Sequence, residues 1–361
     1  MKRKILVPLL ALACSASIVF ALAAGGSSSD PLISLSYLNG SYTSRMDSAV
    51  ESRLDASDQA ITSGVSGSQS GAVKWTDIRL KQSDVLSGFT GLNVMLLAGS
   101  AKLNIISGAV VDVTAGTTAA SGSALSLRHR YLAAEKASVR ITVTSKTAVI
   151  HYQGTAGFIK SSAPDYNAMA DALKTMHLFK GTYTGYGSGY DLEVVPTRLQ
   201  ALIMFIRVLG EEEKALAYTG KTPFIDLTAG SNAAKYVGYA FSKGYTAGVT
   251  KTLFYPNRAV SAAQYTEFML RALDYSSSAN TNLSGTLDKA VVCGVLNPGE
   301  VSMLKSGTFL RAQLVYISYY TLNSTYSGSS DTLRERLISR GVFTSAESSS
   351  AAALVKTARL S

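Results

Sequence analysis

The chain has 361 residues, enough for about two or three domains, with 34 Lys and Arg against 24 Asp and Glu and a formal charge of +10. That excess suits anionic partners, but no Lys/Arg cluster or RNA-binding motif accompanies it, which argues against nucleic acid. The two cysteines, Cys14 and Cys293, are too few for a disulfide scaffold.

Residues 1–24 read as a secretory signal peptide. Lys2, Arg3 and Lys4 form a positive start, Ile5 to Phe20 an apolar stretch, and Ala21-Leu22-Ala23 an A-x-A cleavage site. An uncleaved membrane anchor is the alternative, because the apolar run approaches the roughly 20 residues of a span. Cleavage would remove three positive charges and leave Cys293 alone, in an apolar run where it reads as a small buried hydrophobe.

Residues 30–72 predict an amphipathic helix and a linker. Met46, Val50, Leu54 and Ile61 share one helical face, and the segment Ser63 to Gly71 is rich in Ser and Gly. Over residues 73–160 the apolar period becomes two. Leu125, Leu127, His129 and Tyr131 alternate with Ser126, Arg128 and Arg130, and Val139, Ile141 and Val143 with Arg140, Thr142 and Thr144. Short strands broken by Gly, Ser and Thr predict a small antiparallel β sandwich or roll, with Trp75 in its core. It should be a separate module with few contacts across Ser161 to Pro164.

From residue 165 to 322 the pattern is helical, and one block recurs at roughly 50 to 65 residues. Its copies begin Val195-Pro-Thr-Arg-Leu-Gln200, Ala259-Val-Ser-Ala-Ala-Gln264 and Gly307-Thr-Phe-Leu-Arg-Ala-Gln313. Each copy predicts a helix stopped by glycine (Gly181, Gly244, Gly294) and then a second helix. Capping boxes at Thr197 and Ser261 open the first two second helices; Leu310 weakens the third. Residues 323–361 predict one more helix, Asp331 to Ser339, and a poorly ordered Ser/Ala-rich tail. The fold class is thus multidomain α and β: an N-terminal helix, an antiparallel β module, and a C-terminal all-α bundle of three repeats.

Arg198 and Arg311 stand one step after the caps. There they could join the exposed amides of a helix N-terminus in an anion site, or be solvated surface residues. The three histidines, His129, His151 and His177, are dispersed, without metal-ligand spacing. No nucleophile-elbow, P-loop or dinucleotide-binding signature occurs. A β module whose acids are Asp77, Asp84, Asp112 and Glu135 offers little for hydrolysis. A non-enzymatic protein without a cofactor is expected.

Further motifs complete the pattern: Phe224-Ile-Asp226, Lys243-Gly244-Tyr-Thr-Ala-Gly248, Phe254-Tyr-Pro-Asn257 and Thr197-Arg-Leu-Gln200. In combination they resemble the S-layer homology (SLH) domain of bacterial surface proteins, over Asp165 to Leu322. The resemblance implies a pseudo-threefold bundle whose inter-repeat grooves bind anionic secondary cell-wall polysaccharide, commonly carrying pyruvylated sugar. It implies Arg198, Arg311, Asp226, Thr197 and Lys243 as ligand-binding residues, and a secreted cell-surface protein that could self-associate in a surface layer. Departures are Ala262 where the motif has arginine, Asn232 where tryptophan is usual, and a third copy without the F-x-D opening. The alternative reading keeps the same anchor and makes the β module a carbohydrate-binding or glycan-hydrolysing unit.

Overall fold

The computed structural model describes residues 45–46, 48–53, 55–56, 74–181, 187–277 and 282–361. The predicted signal peptide, the Ser/Gly linker, and Leu54 and Ile61 of the amphipathic stripe lie outside them. The chain divides into two units, Met1–Ala72 and Val73–Ser361. In the first unit the described residues are helical and exposed, Met46 and Val50 included.

The second unit begins with two antiparallel sheets. Ten strands form them: β1 (Thr76–Lys81), β2 (Val85–Phe89), β3 (Asn93–Ala98), β4 (Ala101–Ser107), β5 (Val110–Asp112), β6 (Thr117–Ala119), β7 (Arg130–Ala133), β8 (Ser138–Val143), β9 (Thr147–Gln153) and β10 (Ala156–Ile159). The six-stranded sheet runs β1-β9-β3-β7-β5-β6 and the four-stranded sheet β10-β2-β8-β4. Strand alternation puts Val139, Ile141 and Val143 inward and Arg140 outward. They join Leu80, Leu86, Val94, Leu96, Leu103 and Ile150 in one core.

Two strand-level expectations need correction. Arg128 has φ of 64°, so the alternating run 125–131 is broken by a turn and β7 starts only at Arg130. Trp75 is half-buried and outside the core; it stacks on His151 at 4.6 Å and 5°. Parity explains the placement: Trp75 shares a face with Asp77 and Arg79, while Ile78 and Leu80 point to the core.

Among the described residues ten helices follow: α1 (Tyr166–Thr175), α2 (Arg198–Val208), α3 (Glu212–Leu216), α4 (Asn232–Ser242), α5 (Ala262–Ala272), α6 (Thr286–Val292), α7 (Pro298–Lys305), α8 (Arg311–Thr321), α9 (Leu333–Ser339) and α10 (Ser345–Leu354). Helices α2, α5 and α8 touch one another, and their apolar faces (Leu202, Phe205 and Ile206; Phe268, Met269 and Leu273; Leu314, Val315 and Ile317) fill the middle of one large core. Capping boxes at Thr197 and Ser261 open α2 and α5. At α8 half of the box remains: Gln313 Oε1 accepts from the Leu310 amide at 2.8 Å, and leucine has no side-chain acceptor to return.

The stop of the first helix is misplaced by sequence. The left-handed residue after α1 is His177 (φ 60°), three positions before the Lys180-Gly181 pair; Gly244 and Gly294 fill the same role after α4 and α6 at 72° and 71°. After each stop, the amide of Leu178, Tyr245 or Val295 donates to a carbonyl five residues back, the bond that closes a Schellman turn. The third connector also contains α7, which sequence did not suggest; Asn297 caps it and Pro298 occupies its first turn.

The tail is ordered, contrary to expectation. Thr344 and Glu347 form a capping box that starts α10, Ala351 is buried, and α10 lies against α1. The sheets and helices are also in contact. Arg79 grips Asp171 of α1 through both guanidinium nitrogens at 2.9 and 2.8 Å, and the Thr147 hydroxyl donates to Glu193 at 2.6 Å. At the passage from β10 to α1, buried Lys81 donates to Asp84 at 2.8 Å and to the Ser161 carbonyl.

Candidate functional site

The openings of α2 and α8 are built alike, and neither leaves its amides free for a ligand. At α2 the amides of Arg198 and Leu199 donate to the carbonyls of Arg258 and Pro256 at 2.8 and 3.0 Å. At α8 the amides of Arg311 and Ala312 donate to Val194 and Leu192, both at 2.9 Å. The expected helix-terminus anion site is therefore closed: the orphan donors of each first turn are spent on another segment's backbone.

The arginine side chains turn inward. Arg198 is 5% exposed; its Nε donates to the Phe254 carbonyl at 2.9 Å, and its guanidinium lies 4.9 Å from the Phe254 ring centre. Burial pulls its pKa down, and the cations Arg258 and Arg271 pull the same way against Asp226. Arg311 is half-buried, at 3.7 Å from Asp191. Its pKa is lowered by burial, with Asp191 and Glu193 opposing and Arg207 adding to the decrease. Guanidinium stays charged at any physiological pH, so each arginine contributes a desolvated positive charge that an anion could stabilise.

Each arginine borders a cavity of about 180 Å³. The first is lined by Arg198, Gln264, Glu267, Phe268, Arg271 and the turn 246–249. The second is lined by Arg311, Gln200, Ile203, Met204, Arg207 and the turn residues Phe179 and Lys180. The two walls match position for position: Gln264 with Gln200, Phe268 with Met204, Arg271 with Arg207. In both, an arginine from the first turn of one helix faces an arginine from the last turn of its neighbour.

These last-turn arginines are held by carboxylates. Arg271 donates to the Tyr245 carbonyl at 2.9 Å and lies 3.3 Å from Glu267. Arg207 pairs with Glu212 at 2.8 Å, and Lys180 reaches the other Glu212 oxygen at 2.7 Å. Burial alone would raise the Glu212 pKa, but hydrogen bonds from Lys180, Tyr236 and Arg207 bring it down to about 2. The lining of the second cavity has three basic residues and no acid, whereas that of the first has two arginines and Glu267. Gly248 shapes the first cavity: its φ is 78°, and a Cβ there would strike the Phe224 ring and the Thr250 carbonyl.

The other three predicted residues stand outside both linings. Thr197 is the cap of α2. Asp226 braces a loop, accepting from the amides of Phe254 and Tyr255 at 3.0 and 2.6 Å, and so holds the carbonyl that Arg198 uses. Lys243 ends α4, exposed, 5.8 Å from the Tyr239 ring centre. Sequence reasoning missed Arg207, Arg271 and Lys180. The signal was present, because Arg207 and Arg271 stand at the same distance from their caps.

Among the described residues, no group of three or more His, Cys, Asp or Glu could hold a metal ion, and no helix is long and apolar enough to cross a membrane. No protein-family model matches the chain, and no curated protein matches it by sequence.

Proposed function

We propose that residues 165–322 form an SLH-type module of three unequal repeats that holds a secreted protein non-covalently on an anionic secondary cell-wall polysaccharide. The observation that carries this reading is the pair of matched cavities, each with two facing arginines, at the positions where the resemblance puts ligand arginine. A carboxylate or pyruvyl group can take a planar guanidinium bidentately, and the half-enclosed space is desolvated enough to strengthen that contact. Phe268 in one cavity and Met204 in the other offer an apolar wall for a sugar ring. The role we infer is anchoring; in the β region Asp77, Asp84 and Asp112 are paired with His151, Lys81 and His129.

The test is sedimentation of the purified chain with cell walls that carry or lack their secondary polysaccharide. Binding should require the polymer. Arg198→Ala and Arg311→Ala should each weaken it about tenfold or more, the scale of one charge-assisted hydrogen bond of about 1.5 to 3 kcal/mol. Because Arg198 also holds the Phe254 carbonyl, Arg271→Gln and Arg207→Gln serve as a second pair, with folding followed by circular dichroism. A folded Arg198→Ala/Arg311→Ala double variant that sediments like the parent would overturn the assignment.

A further inference from the structure

The two cavities have a third counterpart, and it is filled. Where α2 and α5 carry Arg207 and Arg271, α8 carries Tyr320, and where α2 and α8 open with arginine, α5 opens with Ala262. Counted from the glycine stops, the turn after α6, Val295 to Asn297, corresponds to the turn 245–247 beside the first cavity. Into this groove runs the segment 355–361. The Arg359 guanidinium lies 5.0 Å from the Tyr320 ring centre and donates to the Val295 carbonyl at 3.0 Å. That bond repeats the one from Arg271 to the Tyr245 carbonyl.

The surroundings of Arg359 are those of a receptor for arginine. Glu300 is fully buried, and its two oxygens accept from Arg359 Nε and Nη2 at 2.6 and 2.8 Å. One of them also accepts from the Asn297 amide at 2.8 Å. The next residue is held as well: the Leu360 side chain packs, partly buried, against the helical core, its amide donates to the Tyr316 hydroxyl at 3.0 Å, and its carbonyl accepts from Asn297 Nδ2. Gly299 leaves no room for a side chain because the Ser361 backbone lies against it. A fork-shaped carboxylate contact, a ring face and a carbonyl acceptor together select guanidinium over ammonium. Without Arg359 the groove would keep a buried carboxylate, so its charge preference is opposite to that of the two cavities.

We propose that this third groove is a peptide-recognition groove specific for an arginine followed by an aliphatic residue, and that its occupant is the chain's own segment 355–361, bound in cis as a latch. Tethering gives that segment a high effective concentration, so the full chain keeps the groove closed. The proposal is independent of what the two cavities bind.

The test separates ligand from receptor. The chain is truncated after Lys356, its fold is checked by circular dichroism, and it is titrated with a fluorescein-labelled peptide of residues 357–361, Thr-Ala-Arg-Leu-Ser. The truncated chain should bind this peptide saturably and the full chain should not. An Arg359→Ala peptide, or Glu300→Gln in the truncated chain, should lower affinity at least tenfold. If the folded truncation ignores the peptide, or binds the alanine peptide equally well, the groove is not an arginine receptor. Hydrogen exchange on the full chain decides the matter even if the truncation does not fold. The Leu360 amide should be protected at least a hundredfold; exchange at the rate of an unstructured peptide would overturn the latch.

Discussion

Arg198 and Arg311 were legible as special positions in the sequence, but their surroundings were not. A first-turn arginine next to a capping threonine looks like a residue facing solvent. What buries Arg198 is the loop ending at Phe254 and Arg258, some 56 residues away, and no local pattern announces that approach. Glu212 shows the same dependence on distant partners, since Lys180, Arg207 and Tyr236 come to it from three different elements. Its pKa falls from 4.5 to about 2 on folding, so the folded state binds the proton more weakly than the unfolded chain. The stabilisation is fully present above about pH 4.5 and is lost as pH falls through 2. Urea denaturation of the parent and of Glu212→Gln between pH 2 and 7 should show a stability gap at neutral pH that closes on acidification. A gap that is constant across this range would mean that the carboxylate gains nothing from its three donors.

Elements with short-range causes were readable, and those with long-range causes were not. The caps of α2 and α5 follow from a hydroxyl and a glutamine three residues apart, and both boxes are formed. Thr197→Ala and Ser261→Ala should each cost about 1 kcal/mol in urea denaturation, while Leu310→Ala should act through lost packing, because leucine caps nothing. A loss much below 0.5 kcal/mol at either hydroxyl would show that water replaces the cap freely. The misread elements have identifiable reasons. Glycine is the usual left-handed stop, so Gly181 drew the assignment that belongs to His177, a residue that pays strain to adopt φ of 60°. The Ser/Ala-rich composition of α10 suggested disorder, yet alanine is the best helix former, and Thr344 with Glu347 supplies a cap. Its packing against α1, far upstream in sequence, was the part that composition could not convey.

At the scale of the whole second unit, sheets and helices do not behave as beads on a string. Ser161 to Pro164 reads as a linker, but the same stretch is tied down by the buried Lys81–Asp84 pair, whose carboxylate also accepts from the Ser161 amide at 2.7 Å. Beyond it, Asp171 receives Arg79 from β1 through a bidentate contact and the Tyr190 hydroxyl at 2.6 Å. Arg79 in turn lies 4.8 Å from the Tyr190 ring centre. Both charged side chains remain about a quarter exposed, 25% and 30%, so solvent screens the pair and its worth is limited to about 1 kcal/mol. Cooperativity is a more sensitive readout than stability alone. The parent should unfold in one transition, with the tryptophan signal of the β region coinciding with the far-ultraviolet signal of the helices. In a double-mutant cycle, Arg79→Ala and Asp171→Ala should couple by about 1 kcal/mol, and each variant should pull the two signals apart. Coincident transitions in the double variant would show that the Lys81–Asp84 junction suffices to couple the layers; separate transitions in the parent would restore the β region as an independent module.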